Sequence, residues 1–192
     1  MYKLCKTEQS SARQREIEQM FLSLMLEKHY DDITVTEICL RAGIPRKSFY
    51  RYFDGKEGVR QSLIHHTFED FDVFRTNISS DVNTLRSEFE SVFVFWKTKE
   101  DLLRAFDKGG MTGSLIEYAT TYAMGEFADV QSYLFDSDMN DKILSFQFVI
   151  CGLVTMAVNW YRSGFKESVQ NMARTATKIS TRPLFENLSR TQ

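Results

Sequence analysis

Ile33-Thr34-Val35-Thr36-Glu37-Ile38-Cys39-Leu40-Arg41-Ala42-Gly43-Ile44-Pro45-Arg46-Lys47-Ser48-Phe49-Tyr50-Arg51-Tyr52-Phe53 reads as two short helices joined by a tight turn. Thr34 and Glu37 have the spacing of a capping box, in which the threonine hydroxyl accepts from the N3 amide while the glutamate reaches back to the threonine amide. A helix therefore opens at Val35, with Ile38, Cys39 and Ala42 on one face. Gly43 stops it, because glycine enters the left-handed conformation at little steric cost. Pro45 suits the first turn of the next helix, where the N–H it lacks would be unpaired in any residue. Phe49, Tyr52 and Phe53 supply that helix's inward face, and Asp54-Gly55 breaks the chain again.

Helical periodicity continues in both directions. Upstream, Ile17, Met20, Phe21, Leu24 and Met25 form an apolar stripe, with Ser10 or Ser11 as the expected N-cap and an end near Lys28. Downstream, Val59, Leu63, Ile64, Phe68 and Phe71 mark a helix from about Lys56 to about Arg75. After Ser79-Ser80-Asp81 come a stripe of Leu85, Phe89, Val92, Phe93 and Trp96, then a shorter helix entered at Thr98-Lys99-Glu100-Asp101. Ser114 and Glu117 suggest a further capping box opening a helix to about Phe127, and Asp136–Asn140 reads as a polar connection. The span from Lys142 to Arg162, apolar on nearly all sides, predicts a helix buried on more than one face and stopped by Gly164. Val169, Met172, Ala173, Ala176 and Ile179 predict a last helix ending before Pro183. No run alternates as a strand would, so the fold class is all-α.

Composition limits the function classes. At 43% apolar and 14% aromatic residues the 192-residue chain has ample material for a core, which excludes disorder. Cys5, Cys39 and Cys151 are odd in number and far apart, so neither a disulfide framework nor a zinc ribbon is indicated, and a reducing cytoplasm fits. The longest apolar run, Ile143 to Val158, is shorter than the roughly 20 residues a bilayer requires, and no membrane partner is expected. His65 and His66, adjacent on a helix, point about 100° apart and do not form the i, i+4 pair of a metal site. No paired carboxylates, Ser-His-Asp set or Cys-His pair presents a catalytic centre, so no enzyme and no cofactor is expected.

The net charge of −2 argues against a nucleic-acid partner only as an average. Residues 1–60 hold 11 basic and 9 acidic side chains, and the remainder 13 and 17. Residues 41–60 alone have six basic residues, Arg41, Arg46, Lys47, Arg51, Lys56 and Arg60, against Asp54 and Glu57. The paired helices have the proportions of a helix-turn-helix. With Ile38, Cys39, Ile44 and Phe49 inward, Arg46, Lys47, Ser48, Tyr50 and Arg51 are left to face the guanine edges and phosphates that guanidinium, ammonium and hydroxyl donors recognise.

From Ile33 to Phe53 and on to Lys56-Glu57, the sequence closely resembles the TetR family of bacterial transcriptional regulators; the likeness covers roughly residues 10–65. It implies an all-helical homodimer that binds pseudo-palindromic double-stranded operator DNA, more often as a repressor, with a ligand-sensing domain behind. It further implies phosphate contacts from Thr34 and Thr36, base-edge contacts from Arg46, Lys47 and Ser48, backbone or thymine-methyl contacts from Tyr50 and Tyr52, and a phosphate contact from Lys56. Pro45 stands where the family often has Ser or Thr, so a side-chain cap is replaced by proline geometry. Gly152-Leu153, Trp160, Gly164 and Ser168 resemble a C-terminal domain found in some members, including regulators of dihydroxyacetone kinase.

The expected organisation is a helix-turn-helix domain over residues 1–58 and a larger ligand-binding and dimerisation domain over 59–192. The aromatic residues Phe89, Phe93, Trp96, Phe106, Tyr118, Tyr122, Phe146 and Trp160 are candidates to line a pocket for a small hydrophobic or aromatic effector, with plain core packing as the alternative. Val154, Ala157, Tyr161, Val169, Met172, Ala173 and Ala176 are candidates for the dimer interface. The competing readings are a helical protein-interaction module and a regulator without a small-molecule ligand.

Overall fold

A computed structural model describes residues 1–3, 5, 7–78, 84–130 and 139–181. Among these are α1 (Glu8–Glu27), α2 (Val35–Arg41), α3 (Arg46–Phe49), α4 (Lys56–Ile78), α5 (Leu85–Thr98), α6 (Glu100–Lys108), α7 (Thr112–Val130), α8 (Met139–Arg162) and α9 (Val169–Thr181). The only extended pairing among the described residues is an isolated antiparallel bridge between Tyr2 and Phe53. The all-α expectation holds.

The chain forms two compact units, one from Met1–Asp72 and Glu100–Tyr118, the other from Val73–Lys99 and Ala119–Gln192. In the first, α1 packs on α2 and α6. The fully buried residues here include Ile17, Phe21, Ile38, Phe49, Phe53, Val59, Phe106 and Leu115. In the second, α5 packs chiefly on α9, around Phe89, Phe93, Leu153, Trp160, Ala173 and Ala176. Trp160 meets Phe93 and Phe165 edge-on, at centroid distances of 5.9 and 4.8 Å, and its indole N–H donates to the Glu167 carbonyl (2.9 Å). Gly164 and Phe165 both take positive φ, 71° and 54°, to turn the chain from α8 into α9. For Phe165 that conformation is disfavoured, and its ring contact with Trp160 offsets the cost.

Local signals competed at several predicted boundaries. The cap of α1 is Thr7 rather than Ser10 or Ser11; Ser10 is its N3 partner in a reciprocal capping box. Pro45 is the N-cap of α3, one position earlier than first-turn proline geometry suggested. The capping box expected at Ser114–Glu117 does not form. Gly110 (φ 66°) has already reversed the chain, α7 begins at Thr112, and the Ser114 hydroxyl instead accepts from Arg60 Nη1 (2.7 Å). Helix α8 begins at Met139, inside the expected connection, of which 136–138 lie outside the described residues, as do 79–81 and Pro183. Its apolar stretch Ile143–Arg162 reaches 20 residues, enough by length and composition to cross a bilayer and longer than the sequence reading allowed. Leu153, Val154, Ala157, Val158 and Trp160 are nonetheless buried within the second unit. Burial on several faces is confined to this C-terminal half, since Leu144 and Phe148 are 55% and 68% exposed.

Candidate nucleic-acid interface

The site is built on the turn between α2 and α3. The Thr34 hydroxyl accepts from the Glu37 amide (3.3 Å), and the Glu37 carboxylate accepts from the Thr34 amide (2.9 Å), so the predicted capping box is present. Lys28 adds an ion pair to Glu37. The Lys28 ammonium, with the Thr34 amide and hydroxyl, holds the Glu37 carboxyl down at about 2, against an ordinary 4.5. A depressed carboxyl stabilises the fold above its unfolded value and loses that contribution as pH falls through its folded value. Amide protection at Thr34 and Glu37, taken relative to the intrinsic exchange rate at each pH, should therefore fall between about pH 4.5 and 2 and stay flat over that range in Glu37→Gln. An unchanged profile in the variant would show that the box does not depend on the charge.

Helix α2 is capped at its C-terminus by Ala42, and Gly43 (φ 62°) allows the Ile44 amide to return to the Cys39 carbonyl (3.0 Å). Pro45 offers no side-chain cap; its carbonyl accepts from the Ser48 and Phe49 amides (2.9 and 3.2 Å). Phe49 is fully buried, 5.4 Å from the Phe53 ring and edge-on to Tyr50 at 5.5 Å. Fixing Phe49 inward leaves Arg46, Lys47, Tyr50 and Arg51 exposed, with Ser48 and Tyr52 half-buried. Thr34, Thr36 and Pro45 are exposed beside them.

The six basic residues of 41–60 separate into two groups. Arg41 forms a two-pronged pair with Glu27, both N–O distances 2.6 Å. Arg60 binds Glu57 (2.5 Å) and Ser114. Lys56 donates to the Tyr30 and Asp31 carbonyls, both at 3.0 Å, and sits 4.5 Å from the centre of the Tyr30 ring. These three brace the fold. Arg46 reaches only the Tyr50 hydroxyl (3.3 Å), and Lys47 and Arg51 form no hydrogen bond or ion pair among the described residues. Three cations thus stand on and just after α3, a helix that holds no acidic residue. Burial raises the Cys39 thiol above its ordinary value, the nearby Arg46 charge opposing it, so this cysteine is a packing residue rather than a reactive one.

Sequence reasoning missed what lies beside this turn. Arg51 and Tyr52, with Thr7, Gln9, Ser10, Ala12, Arg13 and the acidic Glu16, line a polar groove of about 500 Å³ where the start of α1 meets the end of α3. It also missed Lys3, whose ammonium donates to the Tyr50 carbonyl (2.9 Å).

The other candidate sets are dispersed. Phe106 and Tyr118 belong to the first unit, where Tyr118 lies 2.5 Å from His65 Nδ1 and burial pushes its hydroxyl up to about 12, with the Tyr2 and Glu69 charges adding to the shift. In the second unit Phe89, Phe93 and Trp160 pack into the core, Trp96 is buried edge-on to Phe95, and Tyr122 and Phe146 are half-buried. Of the proposed dimer residues, Val154, Ala157, Ala173 and Ala176 are buried inside the unit, while Tyr161, Val169 and Met172 are half-buried. No group of three or more potential metal ligands occurs among the described residues.

The family model for bacterial regulatory proteins of the tetR family matches residues 22–63, the segment that contains α2, α3 and the start of α4. Among curated proteins no sequence relative matches. Solved structures share the fold. A TetR transcriptional regulator from Streptococcus agalactiae superposes with a TM-score of 0.63 at 18% identity, covering 91% of this chain and 96% of its own. The fatty acid degradation regulator FadR from Bacillus halodurans gives 0.60 at 16% identity, covering 94% and 98%. The dihydroxyacetone kinase operon activator DhaS gives 0.58 at 15%, covering 88% and 93%. With its capped helix-turn-helix and the family match across it, the segment 22–63 is similar to the DNA-binding segment of bacterial regulatory proteins of the tetR family, and the whole chain shares the fold of solved TetR-family regulators.

Proposed function

We propose that the chain is a cytoplasmic repressor that binds a palindromic operator as a homodimer through the α2–α3 face and releases it in response to a small apolar or aromatic effector. The observation that carries the DNA-binding part is the exposed Arg46, Lys47 and Arg51 set around α3, held outward by the buried Phe49 and unmatched by acid on that helix. Residues 1–58 act as the reading head and 59–192 as the sensing and dimerising part. Thr34, Thr36, Pro45, Ser48, Tyr50 and Tyr52 frame the cations. Lys56 spends two of its three donors on the Tyr30 and Asp31 carbonyls and keeps one for phosphate.

Dimerisation requires an exposed self-complementary face, and the exposed side of α8 supports this reading. Leu144, Phe148, Gly152 and Thr155 recur at helical spacing on its exposed side, and the space beside Gly152 is open, which permits close approach of a two-fold partner. The effector proposal rests on the aromatic excess of the sensing part; such a ligand acts only by binding the DNA-competent and incompetent states unequally, typically by about 1–3 kcal/mol.

The test is fluorescence anisotropy with labelled duplexes from the region upstream of the gene. Arg46→Ala is expected to relax sequence preference, costing about 1–3 kcal/mol on the preferred duplex, and Arg51→Ala to weaken all duplexes and lower the salt slope by about one. Absence of binding at low salt by the unaltered protein would end the reading. The fold is shared with an activator, so the sign of control is read from a promoter fusion in a deletion strain, where increased expression is expected.

A further inference from the structure

The isolated bridge at Tyr2 belongs to a larger arrangement. The Lys3 amide donates to the Tyr52 carbonyl (2.9 Å), the Asp54 amide donates to the Met1 carbonyl (3.1 Å), and the Lys3 ammonium donates to the Tyr50 carbonyl (2.9 Å). The segment Met1–Lys3 thus runs as a strap across the end of the recognition helix. It takes up carbonyls that a terminating helix leaves unpaired, and it places a positive charge at the helix's negative end. Gln14, only 1% exposed on α1, donates its side-chain amide to the Lys3 carbonyl (3.2 Å). Tyr2 lies against His65 of α4 with ring centroids 5.5 Å apart. Gly58, in the first turn of α4, is where the strap passes: a Cβ there would collide with the Met1 carbonyl.

The geometry points to the strap as a positioning element for DNA reading, with Lys3 and Gly58 its determinants. Helix α3 has four residues, and Tyr50, Arg51 and Tyr52, three of the side chains assigned to DNA, lie beyond its last residue in a turn. One helical turn has no intrinsic stability in water, so the backbone of that turn must be fixed from outside. Phe49 fixes its start, and the strap fixes its end. Lys3 acts here through the Tyr50 and Tyr52 carbonyls and is not itself counted among the groups that contact DNA.

This inference rests on the DNA-binding reading, and its experiment separates the two. Two probes are used, a fluorescein-labelled 30-bp duplex from the upstream region and a 30-bp duplex of random sequence. They are titrated with the unaltered full chain, Gly58→Val, Lys3→Ala, Lys3→Arg and the core control Leu103→Ala, at a temperature where each variant is folded. Hydrogen exchange over residues 46–54 is read on the same samples. Gly58→Val, which displaces the strap and leaves every charge in place, should weaken binding at least tenfold with the salt slope unchanged and speed exchange over 50–54. Lys3→Ala should cost about threefold to tenfold, Lys3→Arg should return to within twofold of the unaltered chain, and Leu103→Ala should bind as the unaltered chain does. Binding within twofold in Gly58→Val with unchanged exchange would overturn the inference while leaving DNA binding intact. So would a salt slope lowered by one in Lys3→Ala beside a neutral Gly58→Val, which would make Lys3 a phosphate contact. If the unaltered chain binds neither probe, the DNA-binding reading falls and the strap's role in it falls too.

Discussion

Phe49→Ala should abolish duplex binding and lower unfolding free energy by about 3–5 kcal/mol, the range for truncating a fully buried phenylalanine. Phe49 is the only buried residue of α3, and the helix is a single turn whose N-cap, Pro45, contributes no side-chain hydrogen bond. Everything that keeps Arg46 and Lys47 outward therefore depends on one ring seated between Phe53 and Tyr50. Against a typical domain stability of about 5–15 kcal/mol the loss is large, and it falls on the element that reads DNA. Phe49→Leu, which keeps most of the volume, should cost less than about 1.5 kcal/mol and preserve binding. Urea unfolding with anisotropy on the same samples checks both. If Phe49→Ala stayed within 1 kcal/mol of the unaltered chain, α3 would have to be held by contacts other than this ring.

The parts of this architecture that were legible in the sequence are those whose causes are local. Thr34 and Glu37 satisfy each other across three residues, and Gly43 takes its positive φ within the same turn, so both features could be read from spacing alone. Ser114 and Glu117 show the same spacing without the box, because Gly110 decides the turn first and Arg60, far away in sequence, claims the hydroxyl. Local pattern does not rank competing partners. The charge count was likewise correct in number and incomplete in meaning, since only contacts such as Arg41 with Glu27 tell bracing cations from available ones. Ala173 and Ala176, candidates for a subunit interface, are buried in the core where α9 packs on α5 of the same chain. The strap was the least legible feature, because it joins residues about fifty positions apart and its one trace is a glycine at position 58.

The adjacent histidines carry the second large effect. The rings of His65 and His66 lie 5.5 Å apart and both approach Glu69, but their other partners differ: His65 meets Tyr118, whereas His66 Nδ1 lies 2.9 and 2.8 Å from the two carboxylate oxygens of Glu18. Glu18 is 1% exposed on α1 and also accepts from the Ser62 hydroxyl (2.6 Å), one turn before His66 on α4. A carboxylate there has no water to turn to, so His66→Ala should destabilise by about 3–5 kcal/mol by leaving a buried charge without its main donor. Ser62→Ala, which removes the lesser donor, should cost about 1–3 kcal/mol. The double variant Glu18→Leu/His66→Leu should recover most of the His66→Ala loss, because the penalty belongs to the stranded group rather than to the missing bond, and an apolar pair leaves only the neutral Ser62 hydroxyl without its acceptor. Strong non-additivity between positions 18 and 66 in urea unfolding is therefore the expected signature. If the double variant were instead as unstable as the two single losses combined, shape rather than charge would be what this part of the α1–α4 contact requires.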